Sequence, residues 1–84
     1  MELKFIRDSQ KREIDFVIIR NGKPEFAVEC KSGERNLSRD IKYFSERTSI
    51  PIFYQVHMGQ TDQEHATARA RILPFSAFSK ILGI

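Results

Sequence analysis

The sequence is poor in features that would take it out of an ordinary globular class. It holds one cysteine, Cys30, which excludes an internal disulfide and any zinc site built from several thiolates. No apolar run approaches the roughly 20 residues that a spanning helix needs. The opening MELKFIRDSQKR lacks the apolar stretch of a secretory signal. These absences predict a cytoplasmic protein with no membrane attachment and no disulfide-linked partner. There is no repeat, low-complexity tract or linker, so residues 1–84 read as a single domain. The phosphate loop GxxxxGK[ST] is missing too, and the chain is therefore not itself an ATPase.

What is present suffices for a small core. The 84 residues are 40% apolar and include seven phenylalanines, but a chain this short lies near the lower limit for a self-sufficient domain. A homodimer, or a neighbouring segment packed on it, is the expectation. The 14 basic and 11 acidic residues leave a net charge of +3, a mild excess that permits nucleic-acid binding without requiring it. The basic residues are unevenly spread: Lys31, Arg35, Arg39, Lys42 and Arg47 fall in one stretch. Taken alone, such a run reads as a solvated helix face before it reads as a nucleic-acid contact.

Local patterns predict the order β-β-β-α-β-β-α. Leu3 to Arg7 reads as a short strand, DSQKR as a polar turn, and EIDFVIIR (Glu13 to Arg20) as a strand rich in β-branched and aromatic residues. Asn21-Gly22 signals a reversal before a third strand, PEFAVECK. In LSRDIKYFSER, Leu37, Ile41 and Phe44 recur at helical spacing, with Asn36 or Ser38 available as N-cap. PIFYQVHM is a fourth strand, GQTDQEHAT a loop and ARARIL a fifth strand. PFSAFSKIL forms a closing helix with Pro74 near its first turn. A meander followed by a helical crossover implies an α/β (α+β) domain with a mixed sheet.

The second and third strands carry the chemistry. Alternation puts Ile14, Phe16 and Ile18 on one side of the second, and Glu13, Asp15, Val17 and Ile19 on the other. In the third, Phe26, Val28 and Cys30 oppose Glu25, Ala27, Glu29 and Lys31. An ideal two-residue hairpin at Asn21-Gly22 would mix polar and apolar residues on both faces, which register selection disfavours. A one-residue shift, through a three-residue loop or a bulge, pairs Phe16 with Val28, Asp15 with Glu29 and Glu13 with Lys31. Two carboxylates and an ammonium then share one face.

Neighbouring carboxylates repel unless a proton or cation lies between them. Mg²⁺ or Mn²⁺ suits such oxygen donors and activates water toward phosphoryl groups, while Lys31 beside that water would hold developing negative charge. The same residues also make ordinary cross-strand ion pairs, worth about 0–1 kcal/mol when exposed.

Asp15 followed by Glu29-Cys30-Lys31, on two strands and ahead of a helix, resembles the D…ExK signature of the PD-(D/E)XK nuclease superfamily. EIDFVIIRNGKPEFAVECKSG, IPIFYQV and RILPFSAF look most similar to the nuclease-like domain at the C-terminus of many prokaryotic AAA+-type predicted ATPases. The resemblance spans nearly the whole chain and implies a restriction endonuclease-like core. It also implies that Asp15, Glu29 and the Cys30 carbonyl hold Mg²⁺ or Mn²⁺, that Lys31 is the catalytic lysine, and that Gln55 is a further polar site residue. Arg35, Arg39 and Lys42 would contact nucleic-acid phosphate. The usual first helix of that core, often the source of another acidic residue, has no counterpart here. That leaves a sheet face open and favours a homodimer, or reads the chain as a piece of a larger ATPase-linked protein. The alternative function is an inactive docking or dimerisation module derived from such an ATPase.

His57 and His65 lack a helical ligand spacing, so zinc is not expected. Cys30 alternates onto the apolar face and reads as a small core residue. Phe75, Phe78, Ile81 and Leu82 form a packing stripe for the core or a dimer, and Tyr43, Phe53 and Tyr54 read as packing residues.

Overall fold

The β-rich first third of the chain forms three antiparallel strands in the computed structural model, which describes residues 2–7 and 13–83. They are β1 (Glu2–Arg7), β2 (Glu13–Arg20) and β3 (Lys23–Cys30). The polar turn expected between β1 and β2 lies outside the described residues. Helix α1 (Arg39–Arg47) crosses over to β4 (Phe53–His57), which pairs in parallel with β3. β5 (Gln63–His65), a 3-10 turn at Ala66–Ala68, β6 (Ala70–Pro74) and α2 (Phe75–Leu82) follow. The sheet is mixed, in the order β1-β2-β3-β4-β6-β5. The expected α+β class and mixed sheet are therefore observed. One element is new: Gln63–His65, in the stretch expected to be loop, pairs antiparallel with β6. Three polar residues at an edge carry no alternation to read.

The hairpin shows which device sets its register. Arg20 pairs with Lys23, and Asn21 (φ 54°) and Gly22 (φ 77°) form the two-residue turn between them, a left-handed pair that Asn-Gly favours. The register then slips: Ile19 faces Pro24 but Ile18 faces Phe26. β3 thus carries one extra residue beside Pro24, which has no N–H to lose. Of the two routes to the shift, the bulge is the one used, and Phe16 lies opposite Val28.

A second slip changes the faces of β2. Lys4 pairs with Val17 but Ile6 with Ile14, so β2 holds one residue more than β1 around Asp15 and Phe16. This moves Ile14 onto the same face as Val17, where both are buried with Ala27, Ile41 and Phe44. The expected grouping of Ile14 with Phe16 and Ile18 is corrected accordingly. A bulge is invisible to strict alternation because every residue beyond it changes sides.

Each sheet face receives one helix. α1 presents Ile41 and Phe44, with Leu37 just ahead of its cap, to Val17, Ala27, Phe53 and Ile72. Ser38 is its N-cap, its hydroxyl accepting from the N–H groups of Asp40 (3.0 Å) and Ile41 (3.4 Å). Arg69 closes the other end, donating to the carbonyls of Ser45 (2.8 Å), Thr48 (3.3 Å) and Ile50 (3.2 Å). These bonds hold Arg69 in a left-handed conformation (φ 52°) that a non-glycine residue rarely adopts. On the other face α2 buries Phe78 against Tyr54, Val56 and Leu73 but leaves Phe75, Ile81 and Leu82 exposed. The expected packing stripe is thus filled only at Phe78. Among the described residues no helix is long and apolar enough to cross a membrane.

Candidate functional site

β4 lies between two parallel neighbours with all five residues buried, as a central parallel strand requires. Two of the five, Gln55 and His57, are polar and must find partners inside. Gln55 faces Glu29 across the β3–β4 pair. Its side-chain oxygen accepts the Ser38 N–H at 2.8 Å, and its amide donates to the Asn36 carbonyl at 3.0 Å. It clips the loop between β3 and α1 onto the sheet. With both ends of the amide engaged and 1% of the residue exposed, Gln55 positions this loop rather than facing a ligand. Gln55→Leu should leave that N–H and C=O unpaired and cost about 1–3 kcal/mol. The expected sign is lower urea-denaturation stability together with faster amide exchange at Ser38.

Glu29 ends β3 on the same side. It is buried, 6% exposed, and its Oε1 lies 3.3 Å from Lys31 Nζ. Oε2 has no hydrogen-bond partner. Burial pushes the Glu29 carboxyl above the ordinary glutamate value; the Ser38 hydroxyl and the Lys31 ammonium pull it back, and Asp40 adds to the rise. Lys31 itself is half-buried, and its backbone N–H donates to the Val56 carbonyl at 2.8 Å. The backbone of Lys31 thus leads toward β4. The expected contact between Lys31 and Glu13 concerns a side chain outside the described set.

Asp15 reaches the end of β3 by another route. The bulge leaves it exposed, and its Oδ2 accepts the Cys30 N–H at 2.7 Å. Asp15 therefore touches the backbone of the residue between Glu29 and Lys31. Cys30 is exposed as the last residue of β3, outside the apolar cluster that holds Val28, which corrects its reading as a core residue. Desolvation, then the charges of Asp15 and Glu29, raise the Cys30 thiol above its ordinary value, which disfavours the reactive thiolate.

The three basic residues singled out for phosphate are all exposed, and they do not line one common cleft. Arg35 lines a cleft of about 420 Å³ with Glu34, Asn36, Thr61 and Gln63. Lys42 lines a separate one of about 290 Å³ between α1 and the 3-10 turn, with Leu37, Ser45 and His65. Arg39 opens α1 and borders neither. Among the described residues no group of three or more His, Cys, Asp or Glu side chains could hold a metal ion.

Two participants were missed by sequence reasoning. Ser38, foreseen as a cap, also stabilises the ionised form of Glu29. His57, 1% exposed, organises the loop after β4: its Nδ1 accepts the Gly59 N–H at 2.9 Å and its Nε2 donates to the Thr61 carbonyl at 2.9 Å. A histidine inside an apolar strand two residues before a glycine was the available signal.

Compared with known proteins, residues 1–78 match a family described as a domain of unknown function (DUF4143). No curated protein and no solved structure matches the chain.

Proposed function

We propose that this chain, which belongs to the DUF4143 family, binds Mg²⁺ or Mn²⁺ at Glu29 and Asp15 and hydrolyses phosphodiester bonds of nucleic acid. The observation that carries this reading is the buried Glu29 carboxylate, with one oxygen paired to Lys31 and the other, Oε2, without a partner. An unpartnered buried carboxylate oxygen is costly, and a cation or a proton relieves it. The available donors are the carboxylates of Glu29 and Asp15 and the Cys30 carbonyl. All are hard oxygens, which suit these ions. Only two of the three are side chains, in keeping with the absence of a three-side-chain cluster among the described residues. Mg²⁺ typically keeps several waters and completes its shell with substrate phosphate.

A bound divalent ion would polarise a phosphoryl oxygen and lower the pKa of its water. The chain's own residues supply the rest. Lys31 holds negative charge developing beside Glu29, and the clip from Gln55 to Asn36 and Ser38 keeps the loop after Lys31 in place. Arg35, Arg39 and Lys42 attract the phosphate backbone with the salt sensitivity typical of such contacts. A cytoplasmic location goes with this reading, as does the resemblance to the D…ExK nucleases.

The test is cleavage of DNA and RNA in Mg²⁺, Mn²⁺ or EDTA by wild type, Asp15→Ala and Lys31→Ala. The expected result is cation-dependent cleavage, reduced about 10²-fold or more in Lys31→Ala, the scale of removing one transition-state charge donor. Equal cleavage by wild type and Lys31→Ala overturns the catalytic role.

A specific observation favours a second reading. Phe75, Ile81 and Leu82 of α2 are 43–48% exposed, and Leu3 on β1 is 68% exposed. Apolar surface of this kind suits a non-catalytic docking or homodimerisation module, as in a domain carried by an ATPase. A monomer in solution removes the dimer form of that reading.

A further inference from the structure

The loop after β4 presents a row of backbone N–H groups whose partners are side-chain acceptors. The Gly59 N–H donates to His57 Nδ1. The next two, of Gln60 and Thr61, both donate to Glu34 Oε1, the latter at 2.8 Å. Glu34 comes from the loop after β3 and lies across Gly59 so closely that a Cβ there would collide with its Cγ, Cδ and Oε1. His57 fixes the loop from inside, because accepting at Nδ1 leaves Nε2 to donate to the Thr61 carbonyl. Consecutive N–H groups aimed at one point form an anion-binding concavity, and here a carboxylate oxygen fills it.

We propose that the Gly59–Thr61 loop is a cradle for a phosphate group and that Glu34 is its intramolecular stand-in, displaced when phosphate binds. Three observations support exchange. Glu34 is exposed, so releasing it uncovers no buried charge. A cleft of about 420 Å³ opens beside it, with Arg35 on its wall to offset the second negative charge of a phosphate. The buried His57 braces the loop at Gly59 and Thr61 through bonds that do not involve Glu34. A phosphate oxygen accepts the same two N–H bonds and adds a charge-assisted contact that the carboxylate does not make. The ligand is a phosphate group, either free or in a nucleic-acid backbone. In the second case the cradle would anchor substrate beside the loop after β3, which carries both Glu34 and Lys31. The site uses none of the groups proposed to bind a cation.

The amide resonances of Gln60 and Thr61 report on the cradle directly. ¹⁵N-labelled wild type, Glu34→Ala and Glu34→Gln are titrated in EDTA with inorganic phosphate and, separately, with a short single-stranded oligonucleotide. In Glu34→Ala both amides should shift saturably with phosphate, with affinity about tenfold above wild type, a difference of 1.4 kcal/mol. Glu34→Gln should fall between, because its side-chain oxygen still accepts but without charge. Glu34→Gln keeps the acceptor and so serves as the folded comparison if Glu34→Ala is disordered. A larger response to oligonucleotide than to phosphate identifies nucleic-acid backbone as the source; the reverse identifies a free anion. Unmoved Gln60 and Thr61 amides in a folded Glu34 variant overturn the proposal. Because EDTA is present throughout, that failure leaves the cation site at Glu29 untouched, and cation failure leaves the cradle untouched.

Discussion

Glu29→Gln is expected to keep or raise stability at neutral pH while abolishing the response to divalent cation. The sign follows from burial. The folded carboxyl titrates above the ordinary value of 4.5, so between that value and its raised one the folded state holds more protons than the unfolded. Stability then falls as pH rises through that window, is fully present below pH 4.5, and at neutral pH carries the whole penalty of a buried charge. Glutamine takes up no proton and removes this slope. Its loss is the ion pair to Lys31, whose gain is offset by the desolvation of the buried Glu29 and screened at the partly exposed Lys31. Cation acts in the opposite direction on wild type. Binding to the folded state alone adds about 2.7 kcal/mol when the free ion is a hundredfold above Kd. Urea denaturation across about pH 4 to 8, with and without Mn²⁺, reads both effects. A wild type indifferent to Mn²⁺ at neutral pH, or a Glu29→Gln protein much less stable than wild type there, would contradict the reading of Glu29 as a cation ligand.

Phe53→Ala should bring the domain close to unfolding. Phe53 is fully buried at the start of β4, between β3 and β6, and shares its cluster with Ile41, Phe44 and Ile72. Removing such a ring costs about 3–5 kcal/mol, against a total of roughly 4–13 kcal/mol for a chain of this length. The damage would not stay local. Phe53 forms the floor on which α1 sits, and α1 begins at the loop that Gln55 clips and Ser38 caps. Phe75→Ala, at a residue 48% exposed, should change stability by less than about 1 kcal/mol in the monomer. Thermal or urea unfolding of the two variants checks the contrast. A Phe53→Ala protein within about 1 kcal/mol of wild type would mean that β4 is not the centre of the core.

The hairpin register was legible because burial penalises the wrong choice. Only a one-residue shift gives Phe16, Val28 and their neighbours a common apolar side, and the bulge at Pro24 supplies that shift. Helix α1 was legible for the same reason, with Leu37, Ile41 and Phe44 at helical spacing and Ser38 capping its first turn. The irregularity around Asp15 was not legible. It exists because β1 pairs with β2 out of step, and nothing within β2 records where its neighbour slips. The sequence pattern therefore brought Asp15 and Glu29 onto neighbouring strands. It could not show that Asp15 would bond to the Cys30 backbone while Glu29 turned inward to Lys31.

Local chemistry sets what each segment can be. Periodicity, turn residues and capping depend on neighbours a few positions away, and for this chain they specify strands, helices, the apolar faces and the Glu29–Lys31 spacing. The roles of individual polar groups depend on partners distant in sequence. Gln55 became a clip because Asn36 and Ser38 arrive above it, and Glu34 became an occupant because Gln60 and Thr61 aim their N–H groups at it. Residues seventeen to twenty-seven positions apart make these contacts. A buried polar group takes whatever partner the packed fold places within hydrogen-bond reach, so its role is settled when the layers close.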